Sequence, residues 1–174
     1  MIPITKSDLQ LINDLHARTY TGYTLTSNST PQEQQQLGVI KDKLKNITEF
    51  FANKYNLSYG PFETSVSSGN PITQRNTFNN VWAGLFKGAS NKQYAGQISF
   101  VMNLQEACLN VGFYFGRASA RSISAEERTR LEAQLRSLGL SLSNTINNDE
   151  IFRNRYESLF DFGFKSFSGG QEVT

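Results

Sequence analysis

The sequence predicts an α+β fold, with an antiparallel sheet of three or more strands flanked by about four helices. Two observations predict this class. Apolar residues that recur three and four positions apart mark helices near both ends of the chain. Apolar residues at every second position mark strands in the stretch from Asn79 to Gly116.

The amino-terminal part of the chain carries two helix-start signals. Thr5 and Asp8 form a capping box, which predicts a first helix from Thr5 to about Tyr20. Thr30 opens a second capping box with proline at the first helical position, so a second helix begins there. Its apolar stripe is predicted to pack on the core or on a partner: Leu37, Ile40, Leu44, Ile47 and Phe51.

The carboxy-terminal part predicts two more helices and a short strand. Ser124 to Leu138 begins with a capping box and is followed by Gly139, a natural helix stop. Asp149 to Phe160 is the fourth predicted helix. The weak alternation in Asp161 to Phe167 predicts a last strand.

The central stretch predicts three strands in a meander. They run from Val81 to Phe86, from Tyr94 to Asn103 and from Cys108 to Gly116. The polar, turn-prone segment from Pro61 to Asn76 predicts a connecting or binding loop. On one face of the third strand, small residues beside an aromatic residue leave room for a helix or a ligand: Asn110, Gly112, Tyr114 and Gly116.

The length of the chain fits one domain. Its 174 residues suffice for one hydrophobic core, and we expect a single α+β domain over residues 1–167. Residues 168–174 are predicted to be a flexible tail or the start of a linker, because they are mostly polar and include Gly169 and Gly170. Two readings follow from this end of the chain: the amino-terminal domain of a longer protein, or a domain that ends in a short native tail.

Composition excludes several kinds of site. Cys108 is the only cysteine and His16 the only histidine, so an internal disulfide and a Cys/His metal cluster are both excluded. We expect no metal ion and no cofactor. The chain contains no apolar run of membrane-spanning length, and its first residues lack the regions of a signal peptide, so a cytoplasmic location and no membrane contact are expected.

Catalytic signatures are not recognised in the sequence. Gly112 and Gly116 have the wrong spacing for a phosphate-binding loop and lie within a strand, and there is no nucleophile elbow. A hydrolase or nuclease would need converging carboxylates such as Glu63 and Asp161. The balance favours a protein that is not an enzyme.

Basic residues surround the predicted sheet. Arg75, Lys87 and Lys92 bracket the first strand and its turn, while Arg117, Ser119 and Arg121 follow the third strand. Arginines, hydroxyls and backbone N–H groups suit phosphate oxygens. We expect the start of the first strand and the end of the third to share one end of the sheet, which would bring Arg75 near Arg117 and Arg121. The alternative is a solvated loop.

Three aromatic residues are candidates for a base pocket: Trp82, Tyr94 and Tyr114. Strand alternation places Trp82 and Tyr114 on the face opposite Phe113 and Phe115. Aromatic rings on a free sheet face stack a base, including one flipped out of a duplex. The alternative is that a second packed layer covers these rings.

One family resemblance points in the same direction. The stretch from Val81 to Gly116 covers about a fifth of the chain and resembles the amino-terminal specificity domains of McrB-type restriction proteins. The resemblance is carried by the segments Val81–Phe86, Gln97–Phe100 and Val111–Gly116. In that family, a DNA-recognition domain precedes an AAA+ GTPase motor, which recruits a separate nuclease subunit. The resemblance implies a motor beyond Thr174, and it carries over no functional residue position by position.

The leading functional hypothesis is a DNA-binding specificity domain of a restriction or defence protein, sensitive to sequence or base modification. Lysines and arginines would hold the backbone, and the aromatic pocket or the Pro61–Asn76 loop would read the base. The alternative is a protein-interaction module that docks a partner through the Leu37–Phe51 helix face or an open sheet face. A hydrolase or nuclease is the third reading.

Overall fold

The computed structural model describes residues 2–67, 69–87, 96–115, 123–168 and 171–173, which belong to two compact units, Met1–Gly116 and Arg117–Thr174. The predicted α+β class is confirmed by four helices and an antiparallel four-stranded sheet in the described residues. The first unit contains α1 (Lys6–His16), α2 (Pro31–Tyr59), β1 (Phe62–Val66), β2 (Trp82–Lys87), β3 (Gly96–Met102) and β4 (Leu109–Phe115). The second unit contains α3 (Ala125–Asn148), α4 (Glu150–Asp161), β5 (Ser166–Ser168) and β6 (Gln171–Val173).

The sheet of the first unit is a meander in the order β1-β2-β3-β4. Residues that pair directly across strands point to the same face of a sheet. The core face therefore carries Val66, Ala83, Phe100 and Val111, which pair in one row. The far face carries the neighbouring row of Ser65, Gly84, Ser99 and Gly112.

Helix α2 packs against β1 and β2 on the core face. Thr30 and Glu33 form the predicted capping box at its start. Its apolar stripe lies inside the core, with Ile40 and Leu44 fully buried and Leu37 only 3% exposed. The prediction that the Leu37–Phe51 face docks a partner is therefore wrong for the stripe from Leu37 to Ile47, because the protein's own sheet already covers it. Phe51, at the end of the stripe, is only partly buried.

Helix α1 packs against α2 through Ile12 and Leu15, both fully buried. Asp8, near its start, accepts a hydrogen bond of 2.7 Å from Nζ of Lys43. Near its end, the Asn13 amide donates to the carbonyl of Leu104 in the turn between β3 and β4. The helix therefore lies beside the first half of α2 and reaches the turn that joins β3 to β4.

The end of α1 is tied to the start of α2 by an ion pair. Arg18 donates two hydrogen bonds to the Glu33 carboxylate, at 3.0 and 2.6 Å, and a third to the Asn28 carbonyl. These bonds from Arg18, and then the backbone N–H of Thr30, lower the pKa of Glu33 to about 2. Glu33 thus both caps α2 and anchors the preceding loop.

This ion pair predicts a component of acid sensitivity. Because the folded pKa of Glu33 is below its ordinary value of 4.5, the pair stabilises the fold above about pH 4.5, and that contribution is lost as the pH falls toward 2. We expect Glu33→Gln to lower the urea midpoint at pH 7, and we expect this difference from the wild type to be much smaller at pH 2.5, where most of the stabilisation linked to ionisation is lost. Glu49→Gln, which removes a carboxylate 3.8 Å from Lys45 in an exposed pair, is the control. An equal loss for Glu33→Gln at both pH values would contradict the assignment.

The segment predicted as a loop, Pro61–Asn76, contains a strand. Phe62–Val66 forms β1 and pairs with β2 in antiparallel register. This strand lies at the edge of the sheet, where its polar side chains can remain partly exposed to solvent. The sequence therefore shows little of the apolar alternation that marks a strand. Further along, Asn76 fixes the chain by accepting from the backbone N–H groups of Tyr20 and Tyr23.

The second unit departs from prediction at one helix end. Helix α3 continues through Gly139 to Asn148, nine residues beyond the predicted stop. A glycine ends a helix when its backbone adopts the left-handed conformation. Gly139 keeps the helical conformation, so α3 continues and is capped at Asp149. Asp149 also accepts a hydrogen bond from the backbone N–H of Phe152 and so caps α4, the fourth predicted helix.

The last two strands of the second unit pair as a short antiparallel hairpin. Strand β5 is the predicted last strand, shifted to Ser166–Ser168, and the hydroxyls of Ser166 and Tyr156 lie 3.0 Å apart. Strand β6 lies within residues 168–174, the segment for which a tail is predicted. The boundary of a single domain at residue 167 stays a prediction.

Candidate functional site

The far face of the sheet has a floor of small residues. Ser65, Gly84, Ser99 and Gly112 pair in a row that crosses all four strands. Trp82 lies two residues to one side of this row on β2, and Tyr114 lies two residues to the other side on β4. The predicted position of Trp82 and Tyr114 opposite Phe113 is confirmed by this register.

Two polar side chains converge on the floor at Gly84. A Cβ atom at this position would lie 3.2 Å from Oγ of Ser99 and 3.7 Å from Oε1 of Gln97. The Ser99 hydroxyl is buried and makes no hydrogen bond with any residue that the structure describes. A buried hydroxyl without a partner costs roughly 1–3 kcal/mol, so this group is suited to a ligand that supplies the missing bond.

Tyr114 covers the floor at its β4 end. A Cβ atom on Gly112 would lie 3.1 Å from Cε2 of Tyr114 and 3.5 Å from its hydroxyl oxygen. One edge of the ring therefore lies over Gly112, which the missing side chain makes possible. Gly84 and Ser99 are buried whereas Tyr114 is 42% exposed, so the β4 end is the accessible end of the row.

Trp82 and Tyr114 do not face each other as two walls of one pocket. They are four residues apart along the strand direction and two strands apart across the sheet. This offset separates their Cα atoms by about 16 Å, from about 3.3 Å per residue and about 4.8 Å per strand. Tyr114 thus belongs to the Ser99 and Gln97 cluster, and Trp82 lies beyond it, half-buried.

The predicted basic cluster is only partly described. Lys87 ends β2, is exposed, and pairs with Phe62 on the core face. Arg75 lies in the loop before β2, with its backbone N–H bonded to the Thr73 hydroxyl. The remaining predicted site residues lie outside the described residues: Tyr94, Lys92, Arg117, Ser119 and Arg121.

The reason for expecting Arg75 near Arg117 and Arg121 is wrong. Strands β2 and β4 are each antiparallel to β3, so they run in the same direction. The start of β2 at Trp82 and the end of β4 at Phe115 therefore lie at opposite ends of the sheet. The end of β4 lies instead at the same end of the sheet as the end of β2, where Lys87 is found, with β3 between the two strands.

The carboxylates considered for catalysis belong to different units, Glu63 to the first and Asp161 to the second. Glu63 lies on β1 opposite Phe86, and Asp161 is the last residue of α4. Within the described ranges, no group of three His, Cys, Asp or Glu side chains is placed to hold a metal ion. Burial and the neighbouring Glu106 carboxylate raise the pKa of the Cys108 thiol, which disfavours its nucleophilic form.

Comparison of the chain with protein-family models, curated proteins and solved structures gives no match. Among the helices in the described residues, none combines the length and the hydropathy needed to cross a bilayer. The far face, with its buried Ser99 hydroxyl and the exposed Tyr114 ring, is the surface that offers groups for binding a ligand. From the sequence, Tyr114 was predicted to lie on this face, but Ser99 and Gln97 were missed. Their place in the site depends on how β3 pairs with β2 and β4, which sets Ser99 between Gly84 and Gly112.

Proposed function

We propose that this protein is a DNA-binding specificity domain that receives one unstacked base on the far face of its sheet. The observation that carries the proposal is the convergence of the unpartnered Ser99 hydroxyl and the Gln97 amide over Gly84. A base pocket needs a flat floor, a ring to stack on and polar groups that read the edge of the base. Gly84 and Gly112 supply the floor, and Tyr114 supplies the ring.

Each polar group has a distinct role in this proposal. The Ser99 hydroxyl donates or accepts one hydrogen bond, and the Gln97 amide offers both a donor and an acceptor to the edge of the base. Tyr114 rotates away from Gly112 to admit the base and then stacks on it. Since unstacking costs least at a mismatched or damaged base pair, such sites should be preferred, and a modified base would be distinguished by its fit beside Ser99.

The DNA backbone would be held by basic residues around the sheet. Lys87 and Arg75 are the described candidates, and Lys92, Arg117 and Arg121 are the predicted ones, with Ser119 as a neutral donor. Because the net charge of the whole chain is only +2, attraction to the DNA backbone would come from these few basic side chains and not from the overall charge of the protein. The resemblance to McrB-type restriction proteins supports the same proposal: the domain would direct an AAA+ GTPase motor, carried further along the chain, to its DNA target.

The test is a fluorescence-anisotropy titration of the full chain with short labelled duplexes. The duplexes are unmodified, base-methylated or mismatched, at low and physiological salt. We expect saturable binding that prefers one duplex and weakens as salt rises. Tyr114→Ala should weaken binding about 5- to 100-fold, the loss of about 1–3 kcal/mol for one stacked base. Ser99→Ala should reduce the preference among the duplexes.

Tyr23→Ala is the matched control, because Tyr23 is a similarly exposed tyrosine, at 49%, outside the sheet. It should bind like the wild type. Circular dichroism verifies that each variant is folded. No binding at low salt, or equal losses for Tyr114→Ala and Tyr23→Ala, would refute a base site at Tyr114.

A further inference from the structure

The core face of the sheet is covered by helices of the first unit over only part of its area. Helix α2 packs on β1 and β2, and α1 lies beside the first half of α2, since Asp8 near its start bonds to Lys43. From Thr48 to Tyr59, α2 continues past the beginning of α1. No other helix of the first unit, in its described residues, lies on the β3–β4 part of the face beside this half of α2.

Apolar side chains are exposed there. Ile98, Val111, Phe113 and Phe115 all belong to the core face and are 41–55% exposed. The Phe113 and Phe115 rings touch edge to face, with centroids 4.9 Å apart. The wall beside them is formed by α2, where Phe51 stacks between Phe100 and Tyr55. We name this surface the β4 groove: Phe51, Tyr55, Ile98, Val111, Phe113 and Phe115.

The dimensions of the β4 groove fit one helix. Two strands at a spacing of about 4.8 Å span about 10 Å, the width of an α-helix with its side chains. The stretch of α2 from Thr48 to Tyr59 is about 18 Å long at about 1.5 Å per residue. A helix of about three turns, placed beyond the start of α1 and beside the second half of α2, would complete the layer of helices on the core face.

The rim of the β4 groove is cationic. Nζ of Lys54 lies 6.0 Å from the Phe50 ring centroid and 5.5 Å from that of Tyr55. Lys87 lies on the same face of the sheet, at the end of β2. Neither lysine forms an ion pair with a residue that the structure describes. An occupant with carboxylates at its edges would neutralise both charges.

We propose that the β4 groove docks one amphipathic helix of a partner protein, about three turns long, with an apolar stripe facing Phe113 and acidic residues facing Lys54 and Lys87. This proposal concerns the face of the sheet opposite the base site, and Lys87 is the one residue that it shares with the proposed DNA contacts. The binding mode is a helix laid in a groove, in which residues three and four apart act as anchors.

The experiment uses two fluorescein-labelled synthetic peptides of 14 residues (about four turns) with the same leucine stripe. One peptide has glutamates at its flanks and the other has lysines. We expect the full chain to bind the glutamate peptide at least about 10-fold more tightly, as charge complementarity requires. Phe113→Glu and, separately, Ile98→Glu should each weaken that binding about 10-fold or more. Lys54→Glu combined with Lys87→Glu should reverse the preference.

Leu57→Glu is the matched control, since Leu57 is a fully exposed apolar residue on the other side of α2. It should bind like the wild type. Failure to bind the glutamate peptide, or equal binding by Phe113→Glu and Leu57→Glu, would overturn the proposal. Dimerisation of the wild type in light scattering that Phe113→Glu abolishes would also overturn it, because the occupant would then be a second copy.

Discussion

Replacing Asp8 with asparagine is expected to lower the free energy of unfolding by about 3–5 kcal/mol, because it breaks a buried ion pair. The Asp8 carboxylate is 1% exposed and the Lys43 side chain 10% exposed, with Nζ 2.7 Å from Oδ2. Burial raises the pKa of Asp8, but hydrogen bonds from Lys43, Thr5 and Gln36 outweigh it and hold that pKa below its ordinary value. The variant leaves the Lys43 ammonium buried without a counter-charge. Urea denaturation followed by circular dichroism measures the loss.

Two further variants test whether the charge is the cause. Asp14→Asn removes an exposed carboxylate from the same helix and should change stability by about 0.5 kcal/mol or less. Asp8→Leu combined with Lys43→Met removes both charges, so it should cost less than Asp8→Asn alone. If the double variant is the less stable of the two, the stabilisation comes from hydrogen bonding by Asp8 at the start of α1 and not from pairing with Lys43.

Phe100→Ala is expected to lower the free energy of unfolding by about 3–5 kcal/mol, the cost of emptying an aromatic site in a core. Phe100 is 7% exposed, and its ring stacks on Phe51 with centroids 5.8 Å apart. Phe113→Ala removes the same side chain from the same sheet face, but Phe113 is 55% exposed. Its cost should be about 1 kcal/mol or less.

The comparison of these two variants reports on the β4 groove as well as on the core. Thermal or urea unfolding of Phe100→Ala and Phe113→Ala, under identical conditions, gives the difference between their free energies of unfolding. Equal destabilisation would mean that Phe113 is covered in solution. The groove would then not be free to receive a partner.

The parts of the fold that depend on local chemistry are the parts that sequence reasoning predicted. The capping boxes at Thr5 and Thr30 each join groups that are three residues apart, so the local sequence alone was enough to predict them. The alternation of β4 is equally local. It places Tyr114 and Phe113 on opposite faces without knowledge of any partner strand.

The parts that depend on distant neighbours were missed. Strand β1 is polar because it is an edge, and no property of residues 62–66 alone separates it from a loop. Gly139 has the identity of a helix stop, but the residues after it favour another two turns. In the candidate site, Ser99 and Gln97 matter only because the register sets Ser99 between Gly84 and Gly112. Register is a property of a pair of strands.

The meander also has a consequence for how quickly the first unit folds. Every strand of its sheet pairs with the next strand along the chain, across connections at residues 67–81, 88–95 and 103–108. Closing these connections costs less entropy than pairing strands that are distant in the sequence, so the sheet should form early. The bond from Asn13 to Leu104, by contrast, joins residues 91 positions apart. Docking of the amino-terminal helix on the turn between β3 and β4 is thus expected to come late, after the rest of the core has assembled.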